Sequence, residues 1–131
     1  MSNSSYHLYE EIVLYLRSDN VLKSSLNSIY EQSPHNAAMP YMYSHFHGLV
    51  DVGTFDKKTL KAELAFHIFC YNLQEVIRIS ARTRTCCIRF FNEYRNYILS
   101  DIKYRITKQE QYFTSLINLE VFIRGHSKVQ K

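Results

Sequence analysis

From Thr59 to Cys70 the chain alternates. Leu60, Ala62, Leu64, Phe66 and Ile68 are apolar, and Lys61, Glu63 and His67 stand between them. A period of two puts the even positions on one face of a strand, facing a core, and leaves most odd positions for solvent or a partner. Tyr71-Asn72 then turns the chain, and the period changes. From Leu73 or Gln74 to Leu99 the spacing predicts a long helix whose buried stripe is Val76, Ile79, Thr83, Cys86/Cys87, Phe90, Tyr94 and Ile98. A half-buried strand followed by a long one-sided helix stacks as layers, which is α+β architecture.

The rest of the chain fits that frame. Tyr6–Arg17 carries Leu8, Tyr9, Ile12, Val13, Tyr15 and Leu16 at helical spacing, with Ser4 or Ser5 to cap it and Glu10-Glu11 in its early turns. Ser18-Asp19-Asn20 breaks it, and Asp19 or Asn20 can cap a short helix over Val21–Leu26. Strands are expected at Ile29–Glu31, at about 41–47 and over Ile102–Thr107, and the last strand buries Phe113, Ile117, Leu119, Val121 and Ile123. Pro34 and Pro40 lie between the first two strands, where a fixed φ and a missing donor do least harm to a ladder. Loops are expected from the second strand through residue 58 and at Lys108–Gln111. The predicted fold is an antiparallel meander of about four to five strands, with the long helix and the N-terminal helix packed on one face.

Length favours one domain over 1–131, with its core at about 6–125 and a basic tail at 126–131. The N-terminus shows no basic region followed by an apolar run, so no secretory signal is expected. No apolar stretch approaches the ~20 residues that span a bilayer. Three cysteines, two of them adjacent, are not a disulfide framework and fit synthesis in a reducing cytoplasm. The net charge of +4 is uneven: residues 1–74 sum to −2, while 75–100 and 101–131 each sum to +3.

One segment carries a family resemblance. Ile29-Tyr30-Glu31, Pro34, Ala37-Ala38-Met39 and Pro40-Tyr41 follow a pattern of short strand ending in Tyr and an acid, a proline, paired alanines, one apolar residue, then Pro-Tyr opening a strand. In this the chain resembles the small tail-completion, or tail-to-head joining, proteins of long-tailed phages and phage-derived gene transfer particles. The order of elements over about residues 6–125 matches as well. It departs in two places: the last hairpin, Thr107–Tyr112, has no glycine, and the loop at 53–58 is charged. The resemblance implies a virion structural protein made in the bacterial cytoplasm. It would form a homo-oligomeric ring, a hexamer, at the head-proximal end of the tail tube. Its partners would be itself, the tube protein and a head-completion or neck protein, with no enzyme activity, cofactor or membrane. Candidate interface residues are Pro34, His35, Asn36 and Met39 in one loop, Asp51 and Phe55 in the next, and Arg78, Arg82 and Arg89 on the long helix.

The same residues admit other chemistries. His45 and His47, two apart on a strand, could meet His67 on the next and bind zinc, but no acid stands as an evident orienting partner. Cys86-Cys87 has Arg84 and Arg89 nearby, which could lower a thiol pKa; a buried inert thiol is the commoner case. The arginine-rich helix and the basic C-terminal half suggest a small nucleic-acid-binding domain as the alternative function. Eleven tyrosines point to interface or to plain sheet packing. No carboxylate pair, Ser-His-Asp order or phosphate loop occurs.

Overall fold

A computed structural model describes residues 4–53 and 59–123. The order is α1 (Ser4–Ser18), α2 (Asn20–Ser25), β1 (Ile29–Tyr30), β2 (Tyr41–Asp51), β3 (Leu60–Cys70), α3 (Leu73–Glu93), β4 (Tyr97–Lys108) and β5 (Phe113–Ile123). One sheet runs β1-β2-β3-β5-β4. The α+β class therefore holds, but the sheet is not a simple antiparallel meander. β1 pairs parallel to β2, with Ile29 opposite Met42 and Tyr30 opposite Tyr43. Parallel neighbours need a crossover, and the loop between Tyr30 and Tyr41 supplies it. After α3 the chain lands two places from β3, at the sheet edge, and the closing hairpin brings β5 back between β4 and β3.

The even residues of β3 do face the core: Ala62, Leu64, Phe66, Ile68 and Cys70 are buried. Ile117, Leu119, Val121 and Ile123 of β5 join them. Leu8, Ile12 and Leu16 of α1 and Val76, Ile79, Thr83, Cys86, Cys87 and Phe90 of α3 cover that face. Within the core, Ser80 and Ser115 share a hydrogen bond of 2.8 Å between their hydroxyls. Replacing Ser80 with Ala strands the Ser115 hydroxyl and should cost about 1–2 kcal/mol. The Ser80→Ala/Ser115→Ala double variant should recover most of that in urea titrations.

Two elements end elsewhere than the sequence suggests, and each involves a break in register. α3 stops at Glu93 rather than Leu99, where Tyr94 N–H closes onto Phe90 O at 2.9 Å. Tyr97, Ile98 and Leu99 pair instead with Ile123, Phe122 and Val121. The register shifts between Leu99 and Asp101, leaving Ser100 unmatched and resetting the alternation of faces. Tyr94 and Ile98 therefore leave the helical stripe and are exposed. Likewise β2 runs to Asp51, past the expected end at 47, because the register shifts between Phe46 and Gly48. The last hairpin closes without glycine: Gln109 N–H donates to Tyr112 O at 2.8 Å, and no residue there has positive φ. Four-residue hairpin loops built on an ordinary type I turn do not require glycine. Residues 124–131, which include the expected basic tail, lie outside the described residues.

Candidate assembly interface

The crossover loop is pinned at both ends and projects between them. Arg17 Nε and Nη2 donate to Ile29 O at 3.1 and 2.6 Å. Tyr9 Oη donates to Glu31 O at 2.7 Å. At the far end Asn27 Nδ2 donates to Ala38 O and Met39 O, and Asn27 N–H to Pro40 O. Between these anchors His35 and Asn36 are exposed, and Pro34 and Met39 are half-buried. Asn36 takes φ 50°, a left-handed conformation that Asn tolerates better than most residues. A surface depression of about 680 Å³ lies beside the loop, lined by Tyr9, Arg17, Tyr30, Glu31, Pro34 and His35. The loop is thus a projection held by α1 at one end and by Asn27 at the other.

The second candidate segment begins on the free end of β2. Leu49, Val50 and Val52 are exposed there, and Asp51 accepts from Gly53 N–H at 3.0 Å. Phe55 lies outside the described residues.

The arginines of α3 do not form one free patch. Arg82 Nε and Nη2 grip the Asp19 carboxylate at 3.0 and 2.6 Å. Arg78 Nη1 donates to Ser25 Oγ at 2.9 Å. The Arg84 guanidinium carbon sits 3.8 Å from the centre of the Tyr104 ring. Arg89 is exposed. Arg78, Arg82 and Arg84 are therefore engaged within the subunit, and of these Arg82 is the one paired with an acid.

A third surface emerges on the sheet face away from the helices. Tyr41 stacks on Phe69 at 4.7 Å, and Tyr43 stacks on His67 at 4.4 Å with the rings 8° from parallel. Tyr30 and Tyr112 flank them, each 6.0 Å from Tyr41 or Phe69. Cross-strand pairing of aromatic side chains on one face builds this ladder. No described helix lies over it. Burial pushes the Tyr41 hydroxyl pKa up, with Tyr112, Tyr43 and Tyr30 adding to it. Burial lowers the His67 pKa, and His45 and His47 lower it further, which favours a neutral ring. Towards the other end the same face is polar: Lys61 pairs with Glu120 at 3.2 Å and Lys103 with Asp101 at 3.6 Å. The odd positions of β3 signalled this face in the sequence, but the joining of Tyr30, Tyr41, Phe69 and Tyr112 required the strand order.

The histidines and cysteines take other roles. His67 stands opposite Tyr43, not opposite a histidine, while His45 and His47 lie 4.5 Å apart. Among the described residues no three His, Cys, Asp or Glu side chains are placed to hold a metal ion. All three cysteines are buried and free. Burial raises the Cys70 thiol to about 12 and Cys86 to about 11, and pushes Cys87 up as well, despite the nearby arginines. Such thiols are not activated nucleophiles.

Neither a family model nor a curated protein matches the chain by sequence. Solved structures do match. The bacteriophage SPP1 gp17 protein superimposes with a TM-score of 0.64 and 17% identity, covering 92% of this chain and 90% of that one. The fold is that of the SPP1 gp17 protein. A chain from the virion of a native gene transfer agent particle follows at a TM-score of 0.51 and 12% identity, covering 87% of this chain and 90% of that one. The gp17 fold thus extends over nearly the whole chain.

Proposed function

We propose that this chain is a virion structural protein, a tail-completion component. In this reading it forms a hexameric ring at the head-proximal end of the tail tube and docks the tube to the neck of the head. What carries the reading is the shared fold: chains alike over about nine-tenths of their length come from a phage and from a gene transfer agent virion. The tail-completion pattern at Ile29–Tyr41 adds to it. The features on offer are surfaces rather than a reaction centre: a braced projecting loop, an apolar strand end and an open aromatic sheet face. Ring closure joins different patches on neighbouring copies, and weak contacts gain strength on a multivalent template.

Particles made without the protein test this reading. Heads and tails should then accumulate unjoined, and adding the purified chain should join them in vitro. Heads and tails that join equally well without it would refute the reading.

A further inference from the structure

The sheet has two free edges at its opposite ends: β1 and β2 form one and β4 the other, with β3 and β5 between. β1 covers only Met42 and Tyr43 of β2. Among the described residues no strand pairs with the outer edge of β2 from Ser44 to Asp51, and none pairs with the outer edge of β4. The tip of β2 is unusual in its side chains. Leu49 stands opposite Ala62 on the helix face and Val50 opposite Lys61 on the open face, yet both are exposed, at 41% and 53%. A strand apolar on both faces has the pattern of one covered on both faces. A Cβ at Gly48 would meet nothing within 4 Å, so the space beside this tip is open.

The edge that matches this tip level by level is the chain's own β4. Asp51, Leu60, Ile123 and Tyr97 share one level across the sheet. Val50, Lys61, Phe122 and Ile98 share the next, and Leu49, Ala62, Val121 and Leu99 the third. A second copy set in line with the first, without inversion, therefore brings Val50 beside Ile98 on the open face and Leu49 beside Leu99 on the helix face. Ile98 is 43% exposed and Leu99 half-buried, so each apolar side chain of the tip gains an apolar neighbour. Strand direction fits as well. Every pairing from β2 through β3 and β5 to β4 is antiparallel, so β4 also runs antiparallel to the β2 of the next copy. A depression of about 580 Å³, lined by Ile88, Phe91, Arg95, Tyr97, Ile98 and Leu99, lies open beside this stretch of β4. We infer that the β2 tip of one copy, Leu49–Asp51, adds to the β4 edge of a second copy at Tyr97–Leu99 and joins the two sheets into one. A bulge on each strand ends the match: the register shifts between Phe46 and Gly48 on β2 and between Leu99 and Asp101 on β4. Bulges blunt an edge against further pairing. The contact is therefore short, and it gains strength only when several copies are held together. Because the two edges differ, it is heterologous and propagates into a ring or a filament. It rests on the ring-forming role proposed above and assigns that ring its subunit contact.

Thiol crosslinking tests it, because the native cysteines are buried. Within one copy Val50 and Ile98 are three strand spacings apart, about 14 Å, too far for a short linker. Full-length Val50→Cys and Ile98→Cys proteins would be treated with a short bis-maleimide, separately and mixed, both free at high concentration and added to isolated tails. The mixture should give crosslinked pairs, most of them on tails, and neither variant alone should. Adding Leu49→Lys to the first variant should cut the yield roughly tenfold. Leu73→Lys, at an equally exposed site where α3 begins, beside the far end of β3, should leave it unchanged. No crosslink in the mixture under either condition would overturn the contact. So would equal crosslinking of one variant with itself, or capture of Val50→Cys by another tail protein in place of Ile98→Cys. Tail binding without the crosslink would leave the tail-completion reading standing and remove this interface. The crosslink in free protein without tail binding would keep the contact between copies and remove that reading.

Discussion

Phe90→Ala should destabilise the chain by about 4 kcal/mol, as large-to-small changes at fully buried aromatics do. Phe90 has no exposed surface and links both helices to the sheet. Its ring stacks on Tyr94 at 4.3 Å and on Tyr97 at 6.2 Å, and meets Tyr15 and Phe91 edge-on at 5.4 and 4.9 Å. Removing it opens a cavity bounded by α1, the end of α3 and the start of β4, and four large rings cannot all collapse into that space. The melting temperature should fall by roughly 15 °C. Phe90→Leu should cost much less, because most of the volume stays filled. A loss below about 1 kcal/mol for the alanine variant would mean the aromatic cluster is not packed as described.

Asp19→Ala should cost about 3 kcal/mol at neutral pH. Asp19 does two jobs. Its carboxylate caps α2 by accepting from Leu22 N–H at 3.0 Å, and it receives the two-pronged grip of Arg82. The Asp19 side chain is only 9% exposed, so its loss leaves Arg82 facing an emptied, poorly solvated site. Asp19→Asn keeps a cap and should cost less. The Arg82 hydrogen bond, aided by Leu22 N–H and opposed by burial, holds the carboxyl at about 2 against an ordinary 3.8. A depressed acid stabilises the fold above its unfolded pKa. This contribution, about 2 kcal/mol, is therefore complete above roughly pH 4 and fades as the pH falls towards 2. Chemical denaturation at pH 7 and near pH 2 checks this: the gap between native chain and Asp19→Ala should shrink on acidification. A gap unchanged with pH would show that the ion pair does not form. Because Arg82 has this internal role, Arg82→Glu sets two anions together and tests stability rather than assembly.

The parts of this fold that were legible in the sequence are those with an uninterrupted period. The β3 alternation held from Ala62 to Cys70 except at Ala65, which is buried on the other face, and the α3 stripe held as far as Phe90. The α1 and α2 boundaries came within about two residues, with Asp19 as the α2 cap. Legibility failed where one extra residue reset the period, at Ser100 and beside Gly48. Ile98 then fell on the helical stripe by coincidence of spacing. The parallel pairing of β1 was hidden because a loop, not a helix, makes the crossover. For the candidate surfaces, the loop at Pro34–Met39 announced itself by its prolines and small residues. The Asp19–Arg82 grip and the aromatic ladder join residues far apart in the chain, and no local pattern encodes them.

The proposed function is above all a place in the particle, the head-proximal end of the tail. Purified chain carrying a gold-labelled tag would be added to isolated tails and imaged by electron microscopy. Label should gather at one end of each tail, the end that meets the head. Label scattered along the tails, or absent from them, would contradict it.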